Sequence, residues 1–121
     1  MFGDWVTSEQ LHLVFDTIAA TPQHIYYFLT KQPDSMVWLL GKPKNVPLNV
    51  FLGASVDTLT RADATRDPMA AVRSVGWHTF VSIEPMLQGF SPTWVDWAGW
   101  VILGAQTGPG AAAHAPKREW V

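Results

Sequence analysis

Apolar residues at helical spacing predict a helix near the start of the chain, over Ser8–Ala20. The members of the apolar stripe fall at i, i+3, i+4 and i+7, and they are Leu11, Val14, Phe15 and Ile18. Thr7 and Gln10 have the spacing of a capping box, in which each side chain accepts a hydrogen bond from a free backbone N–H group. Pro22 follows and ends the pattern.

Four short apolar runs predict strands. They are rich in β-branched and aromatic residues, and they cover Ile25–Thr30, Asn49–Val56, Thr79–Glu84 and Trp100–Ala105. The first two read as strands that are buried on both faces. Between the runs lie a short predicted helix over Pro33–Leu40 and a longer helical stretch over Thr58–Val75. Asp67 and Pro68 predict a break in that stretch, with Asp67 capping a second short helix.

The alternation of strands and helices predicts an α/β fold with a parallel sheet. Crossovers of one hand that keep winding in one direction place every helix on one face of the sheet. Four such strands make half of a TIM-barrel-like sheet, whose inner face is uncovered. The alternative is an open, doubly wound sheet with helices on both faces. The chain of 121 residues fits a single domain over residues 1–121.

Composition favours the half-barrel and narrows the function classes. Charged residues make up 15% of the chain against 48% hydrophobic residues, and seven residues are tryptophan, so apolar surface is expected to meet a partner. That partner is either a second copy, giving a homodimer, or a complementary chain that completes the barrel. A pI near 6.0 argues against nucleic-acid binding through bulk charge. No apolar run is long enough to span a membrane and no secretory signal is evident, so a cytoplasmic location is expected.

Polar residues gather where the predicted strands end, and parallel sheets carry their sites at these ends. The residues are Lys31, Ser55, Asp57, Ser82, Glu84, Gln106 and Thr107. Side chains two apart on a strand share a face, so Ser82 points with Glu84 and Ser55 points with Asp57. If the intervening apolar residues pack on the helices, these polar groups converge inside the mouth of the sheet.

Glu84 is the main candidate for chemistry, because a carboxylate at the end of a strand is costly unless it is paired or functional. The functional interpretation is a ligand-binding carboxylate or general base, with Lys31 as an electrostatic stabiliser. The structural alternative is an ion pair between Glu84 and Lys31. Asp57 fits the N-cap of the helix that follows better than it fits a site.

The glycine-rich segment over residues 104–110 has two interpretations. Its backbone N–H groups, including that of Gly108, could cradle a phosphate. The segment matches neither a Walker loop nor a dinucleotide fingerprint, so a tight loop that needs glycine for its backbone angles is the simpler interpretation.

Four motifs occur in an order that resembles phage- and prophage-encoded radical-SAM-like proteins of unknown function. The motifs are Leu29–Lys31 with Pro33, Asn49–Val56, Ser82–Pro85 and Gly104–Ala111. The resemblance covers nearly the whole chain and implies a TIM-barrel-like fold related to enzymes that bind S-adenosylmethionine and an iron–sulfur cluster. It also implies a cofactor site that includes Ser55, Ser82, Gln106, Thr107 and Gly108.

This chain departs from that family in two ways. Family members are longer and carry a cysteine cluster motif, whereas this chain has no cysteine and supplies no thiolate for a cluster. Gln106 stands where similar proteins often carry glutamate. We therefore expect part of a longer barrel that keeps a strand-end pocket without autonomous radical chemistry. The alternatives are a module that completes a barrel by assembly, and a small cluster-independent enzyme that uses Glu84.

Overall fold

Helices and strands alternate along the chain in the computed structural model, which describes residues 2–41 and 43–121. The helices are α1 (Ser8–Ala20), α2 (Pro33–Leu40) and α3 (Leu59–Ser74), and the strands are β1 (Tyr26–Thr30), β2 (Val50–Ser55), β3 (His78–Ile83) and β4 (Trp100–Leu103). Short 3₁₀ segments follow at Pro92–Trp94, Ala111–His114 and Arg118–Trp120. The predicted elements therefore form close to their predicted bounds.

The strands make one parallel sheet in the order β1-β2-β3-β4, so each strand pairs with the next one in the sequence. In the register, Leu29 lies opposite Gly53, Gly53 lies opposite Phe80, and Phe80 lies opposite Trp100. This arrangement confirms the predicted α/β class and is consistent with a partial parallel βα fold.

The helices cover one face of the sheet, and the core lies between that face and the helices. Buried residues from α1, α2 and α3 join alternate residues of β2 and β3 in one cluster, among them Leu11, Ile18, Met36, Val50, Leu52, Ala62, Met69, Val72, Val81 and Ile83. Strand residues of the opposite parity do not belong to this cluster. We call the surface that they form the inner face.

The inner face is open to solvent along its edge strands β1 and β4, although Phe80 of β3 is only 3% exposed, and this corrects the expectation that β1 is buried on both faces. Tyr27 is 51% exposed, Leu29 is 42% exposed and Trp100 is 49% exposed. The continuous apolar run of β1 reflects an aromatic surface on one side of the sheet and a core on the other. Val101 and Leu103 of β4 are also partly exposed on the helix-facing side.

The capping box of α1 forms as predicted. The Gln10 backbone N–H donates to Thr7 Oγ1 at 3.2 Å, and the Thr7 N–H donates to Gln10 Oε1 at 2.9 Å. α2 begins at Pro33 and ends before Gly41, whose φ of +55° is a conformation that favours glycine. None of the helices in the described part of the chain is long and apolar enough to cross a membrane.

The start of α3 differs from the prediction that Asp57 is its N-cap. Thr58 occupies that position with an extended backbone, and its Oγ1 accepts a hydrogen bond from the Arg61 backbone N–H at 3.3 Å. Asp57 lies one residue too early to reach this N–H and instead accepts from Arg61 Nε at 2.8 Å.

The predicted break at Asp67–Pro68 is also wrong, because α3 runs unbroken through Pro68. A proline inside a helix removes one backbone hydrogen bond, which normally favours a break. Here the buried residues Ala62, Met69 and Val72 lie on both sides of Pro68. Their packing on the sheet outweighs the missing bond and keeps the helix continuous.

Candidate functional site

The polar residues of β2 and β3 meet on the inner face, at the carboxyl edge of the sheet. Ser55 pairs with Ser82 in the register of these two strands, so the two side chains are neighbours on one face. Ser82 is 4% exposed, and its Oγ donates to Glu84 Oε2 at 2.8 Å. The alternation of side chains thus brings together Ser55, Ser82 and Glu84, as the sequence predicts.

Glu84 is exposed and packs against Gly104, the residue that directly follows β4. A Cβ atom placed on Gly104 would lie 2.6 Å from Glu84 Cγ, so the missing side chain makes the room that Glu84 occupies. The backbone of Gly104 also forms hydrogen bonds with Ile83 and Met86, which flank the Glu84–Pro85 dipeptide. Its N–H donates to the Ile83 carbonyl at 3.1 Å, and its carbonyl accepts from the Met86 N–H at 2.8 Å. Glu84 is therefore held at a fixed place while its carboxylate faces solvent.

An aromatic surface covers the rest of the inner face. Neighbouring ring centroids lie 4.9 to 5.9 Å apart, and the rings belong to Tyr27, Phe51, His78, Phe80 and Trp100. The Tyr27 and Trp100 rings approach to 5.8 Å although they belong to β1 and β4, the two outer strands. Such contact across four strands indicates that the inner face is concave. The Phe80 ring lies over Gly53, where a Cβ atom would meet it.

Lys31 lies away from this group. It lines a cavity of about 470 Å³ between the first turns of α2 and α3, together with Arg61. The predicted ion pair between Lys31 and Glu84 does not form. Among the described residues, Arg61 Nε instead forms an ion pair with Asp57 Oδ1 at 2.8 Å. Burial raises the pKa of Asp57, but the hydrogen bond and charge of Arg61, with a smaller contribution from Lys31, outweigh it and lower that pKa below its ordinary value.

The remaining predicted residues lie in the segment after β4. Gln106 is half-buried, and Thr107 and Gly108 are exposed. Gly108 and Gly110 adopt φ values of +92° and +83°, and the Ala111 N–H donates to the Gly108 carbonyl at 3.1 Å. These left-handed backbone angles explain the glycines of this turn without a ligand. No cluster of three or more His, Asp or Glu side chains suited to a metal ion occurs among residues 2–41 and 43–121.

Several residues of the candidate site are not singled out by the sequence analysis. The rings of Tyr27, Phe51, Phe80 and Trp100 have the same strand parity as Ser55 and Ser82, so the alternation that located the serines also locates the rings. No feature of the sequence indicates that Glu84 packs against Gly104. This packing depends on the stagger between β3 and β4, which a single sequence does not reveal.

A family model described as "Protein of unknown function (DUF5131)" matches residues 1–121 of the chain. Neither the curated proteins nor the solved structures give a match to this chain.

Proposed function

The chain belongs to this family of unknown function, and we propose that it forms part of a radical-SAM-like barrel and binds a small cationic ligand on its inner face. We also propose that the protein is related to phage- and prophage-encoded proteins and that it is located in the cytoplasm. S-adenosylmethionine is the candidate ligand. It carries a sulfonium and an ammonium group, and its adenine ring can stack on an aromatic side chain.

The observation that carries the proposal is the placement of Glu84. Its carboxylate is exposed, accepts one hydrogen bond from Ser82 and lies against Gly104. A carboxylate has acceptor sites for about four hydrogen bonds, so one bond leaves most of them for a ligand. A cation that meets this carboxylate is stabilised by charge–charge attraction and by charge-assisted hydrogen bonds.

The aromatic surface provides side chains on which the flat base of the ligand can stack. Trp100 is 49% exposed, and Ile102 follows it by two residues on the same face of β4. A flat base that stacks on an aromatic side chain of this surface gains about 1–3 kcal/mol. In the proposal Ser55 and Gln106 contact the ligand between the rings and Glu84, while Thr107 and Gly108 contact it from the segment after β4.

The proposal assigns no reductive cleavage of S-adenosylmethionine to this chain. The chain has no cysteine and therefore supplies none of the thiolates that hold an iron–sulfur cluster. Lys31 has no part in the inner-face site, because it lines the cavity between α2 and α3. A general base at Glu84, the enzyme alternative, would act on the same bound ligand.

A thermal melt with and without S-adenosylmethionine tests the proposal. At 100 times its dissociation constant a ligand stabilises the folded state by about 2.7 kcal/mol. We expect S-adenosylmethionine to raise the melting temperature of the wild-type chain. We expect no such increase for Glu84→Gln, which keeps the shape of the side chain and removes its charge. Glu9→Gln is the matched control, since Glu9 is an exposed carboxylate on α1. A wild-type melt that S-adenosylmethionine leaves unchanged would contradict the proposal.

A second candidate function is assembly, and it rests on the exposed apolar rings. Tyr27 and Trp100 lie on an uncovered face, and β1 and β4 form the two edges of the sheet. Unpaired edges and apolar faces favour pairing with another chain. We expect sedimentation velocity to show self-association that Trp100→Ser weakens and Trp38→Ser, on the exposed side of α2, does not. A wild-type chain that remains monomeric at high micromolar concentration would argue against self-assembly.

A further inference from the structure

We propose that the cavity between the first turns of α2 and α3 binds the phosphate group of a phosphomonoester. This cavity has a volume of about 470 Å³ and lies on the helix side of the sheet, at the carboxyl ends of β1 and β2. It shares no residue with the proposed ligand site on the inner face, so each of the two proposals can fail without the other.

Two helix N-termini open on this cavity. Gln32 precedes α2 without a side-chain cap, so the N–H groups of Asp34 and Ser35 in the first turn have no partner within the helix. In α3, Thr58 caps the Arg61 N–H, and the Thr60 N–H remains without an intrahelical partner. Free N–H groups and the positive end of a helix dipole together favour an anion.

The Thr65 hydroxyl is an independent sign of a ligand. Thr65 is 1% exposed and lines the cavity from the second turn of α3, and the hydrogen bonds among the described residues include none to its Oγ1. Side-chain nitrogen and oxygen atoms that are fully enclosed without a partner, in the part of the chain that the structure describes, belong to Trp77 and Trp97. Thr65 Oγ1 is not among them, so this oxygen is not fully enclosed, and its residue lines the cavity. A bound oxyanion would accept a hydrogen bond from this hydroxyl, which is otherwise left to water.

The charges around the cavity narrow the ligand to one class. Asp57 holds Arg61 by Nε at 2.8 Å, so the two terminal nitrogens of the guanidinium group can form a bidentate contact with phosphate oxygens. Lys31 adds a second cation. Asp4 and Asp34 also line the cavity and are exposed, so their carboxylates can accept hydrogen bonds from hydroxyl groups of a ligand. A monoester on a hydroxylated body satisfies both sets of charges.

Calorimetric titration of the purified chain with ribose 5-phosphate tests the proposal, with ribose as the comparison. We expect ribose 5-phosphate to bind and ribose to bind at least tenfold more weakly. Thr65→Val removes the hydroxyl at nearly constant volume and should weaken binding about fivefold, while Thr65→Ser should retain it. Arg61→Gln should weaken binding about tenfold or more, whereas Arg66→Gln, on the exposed side of α3, should leave it unchanged.

Three results would overturn the proposal. The first is no binding of ribose 5-phosphate at millimolar concentration. The second is equal binding of ribose and ribose 5-phosphate, since the phosphate would then not be recognised. The third is equal loss in Thr65→Val and Thr65→Ser, which would show a packing effect. If Thr65→Val does not fold, the comparison of Arg61→Gln with Arg66→Gln decides the outcome. A change in S-adenosylmethionine binding is not expected in any of these variants, which separates this test from that of Glu84.

Discussion

The close approach of Gly104 to Glu84 leads to a quantitative prediction for Gly104→Ala. The new Cβ atom would lie 2.6 Å from Glu84 Cγ, whereas carbon atoms in contact normally lie about 3.5–4.0 Å apart. The Glu84 side chain must therefore move by roughly 1 Å or more, as the difference between those contact distances shows. Such a movement breaks the 2.8 Å hydrogen bond from Ser82 Oγ.

The energetic cost lies mainly on Ser82 rather than on Glu84. Glu84 is exposed and can turn into solvent, but Ser82 is 4% exposed and loses its hydrogen-bond partner. A buried polar group without a partner costs about 1–3 kcal/mol. Gly104 is not among the glycines with positive φ, so alanine fits its backbone and contributes about 0.4–1 kcal/mol of stability through the unfolded state.

A double-mutant cycle with Glu84→Ala isolates this contact. In the Glu84→Ala background the obstructing atoms are absent and Ser82 is already unpaired, so Gly104→Ala retains only its stabilising contribution. We expect the effect of Gly104→Ala on the free energy of unfolding to differ between the two backgrounds by about 1–3 kcal/mol. Urea unfolding followed by tryptophan fluorescence measures all four proteins. Additive effects, within about 0.5 kcal/mol, would refute the contact between Gly104 and Glu84.

Three further predictions concern the stability of the helices and of the Asp57–Arg61 ion pair. Thr7→Ala removes the cap of α1 and should lower the free energy of unfolding by about 0.5–2 kcal/mol, measured by urea unfolding. The Arg61 partner lowers the folded-state pKa of Asp57, so Asp57 stabilises the fold above its unfolded pKa and that contribution is lost as the pH falls through the lower folded value. The melting temperature of the wild type should therefore exceed that of Asp57→Asn at neutral pH, and this difference should shrink in acid. A difference in melting temperature that does not change with pH would contradict the pairing of Asp57 with Arg61. Met36→Ala should cost about 2–5 kcal/mol because Met36 is 0% exposed, while Trp38→Ala on the same helix, 76% exposed, should change stability by less than about 0.5 kcal/mol; similar losses in a urea titration would show that α2 is packed differently.

The periodicity of the sequence was sufficient to predict the buried face of α1 and the shared face of Ser82 and Glu84, but not that one face of β1 is exposed. The stripe that includes Leu11 and Ile18 placed the buried face of α1, and alternation along β3 placed Ser82 beside Glu84. Both features follow from local geometry, since 3.6 residues make a helical turn and successive strand residues point to opposite faces. A single sequence carries this information directly.

The predictions failed where two elements compete or where the packing between elements decides. Asp57 and Thr58 are both good caps, and the choice between them depends on where the backbone of α3 begins. Pro68 breaks helices in isolation, but the buried side chains before and after it keep α3 intact. The ion pair expected between Glu84 and Lys31 required the two chain segments to face each other, and the connection from β1 to α2 carries Lys31 to the helix side instead.

The position of Lys31 has a wider consequence for the arrangement of function on this fold. The carboxyl edge of the sheet carries an acidic group on the inner face, at Glu84. The helix side carries Lys31 and Arg61 together with the carboxylates of Asp4, Asp34 and Asp57. The sheet backbone separates the two sets, and the ion pair of Arg61 with Asp57 holds one cation on its own side. Opposite charges that were free to meet would neutralise each other at this edge. Because the fold keeps Glu84 apart from Lys31 and Arg61, we expect substitutions at Glu84 to leave the helix-side cavity unchanged. We equally expect substitutions at Lys31 or Arg61 to leave the inner face unchanged.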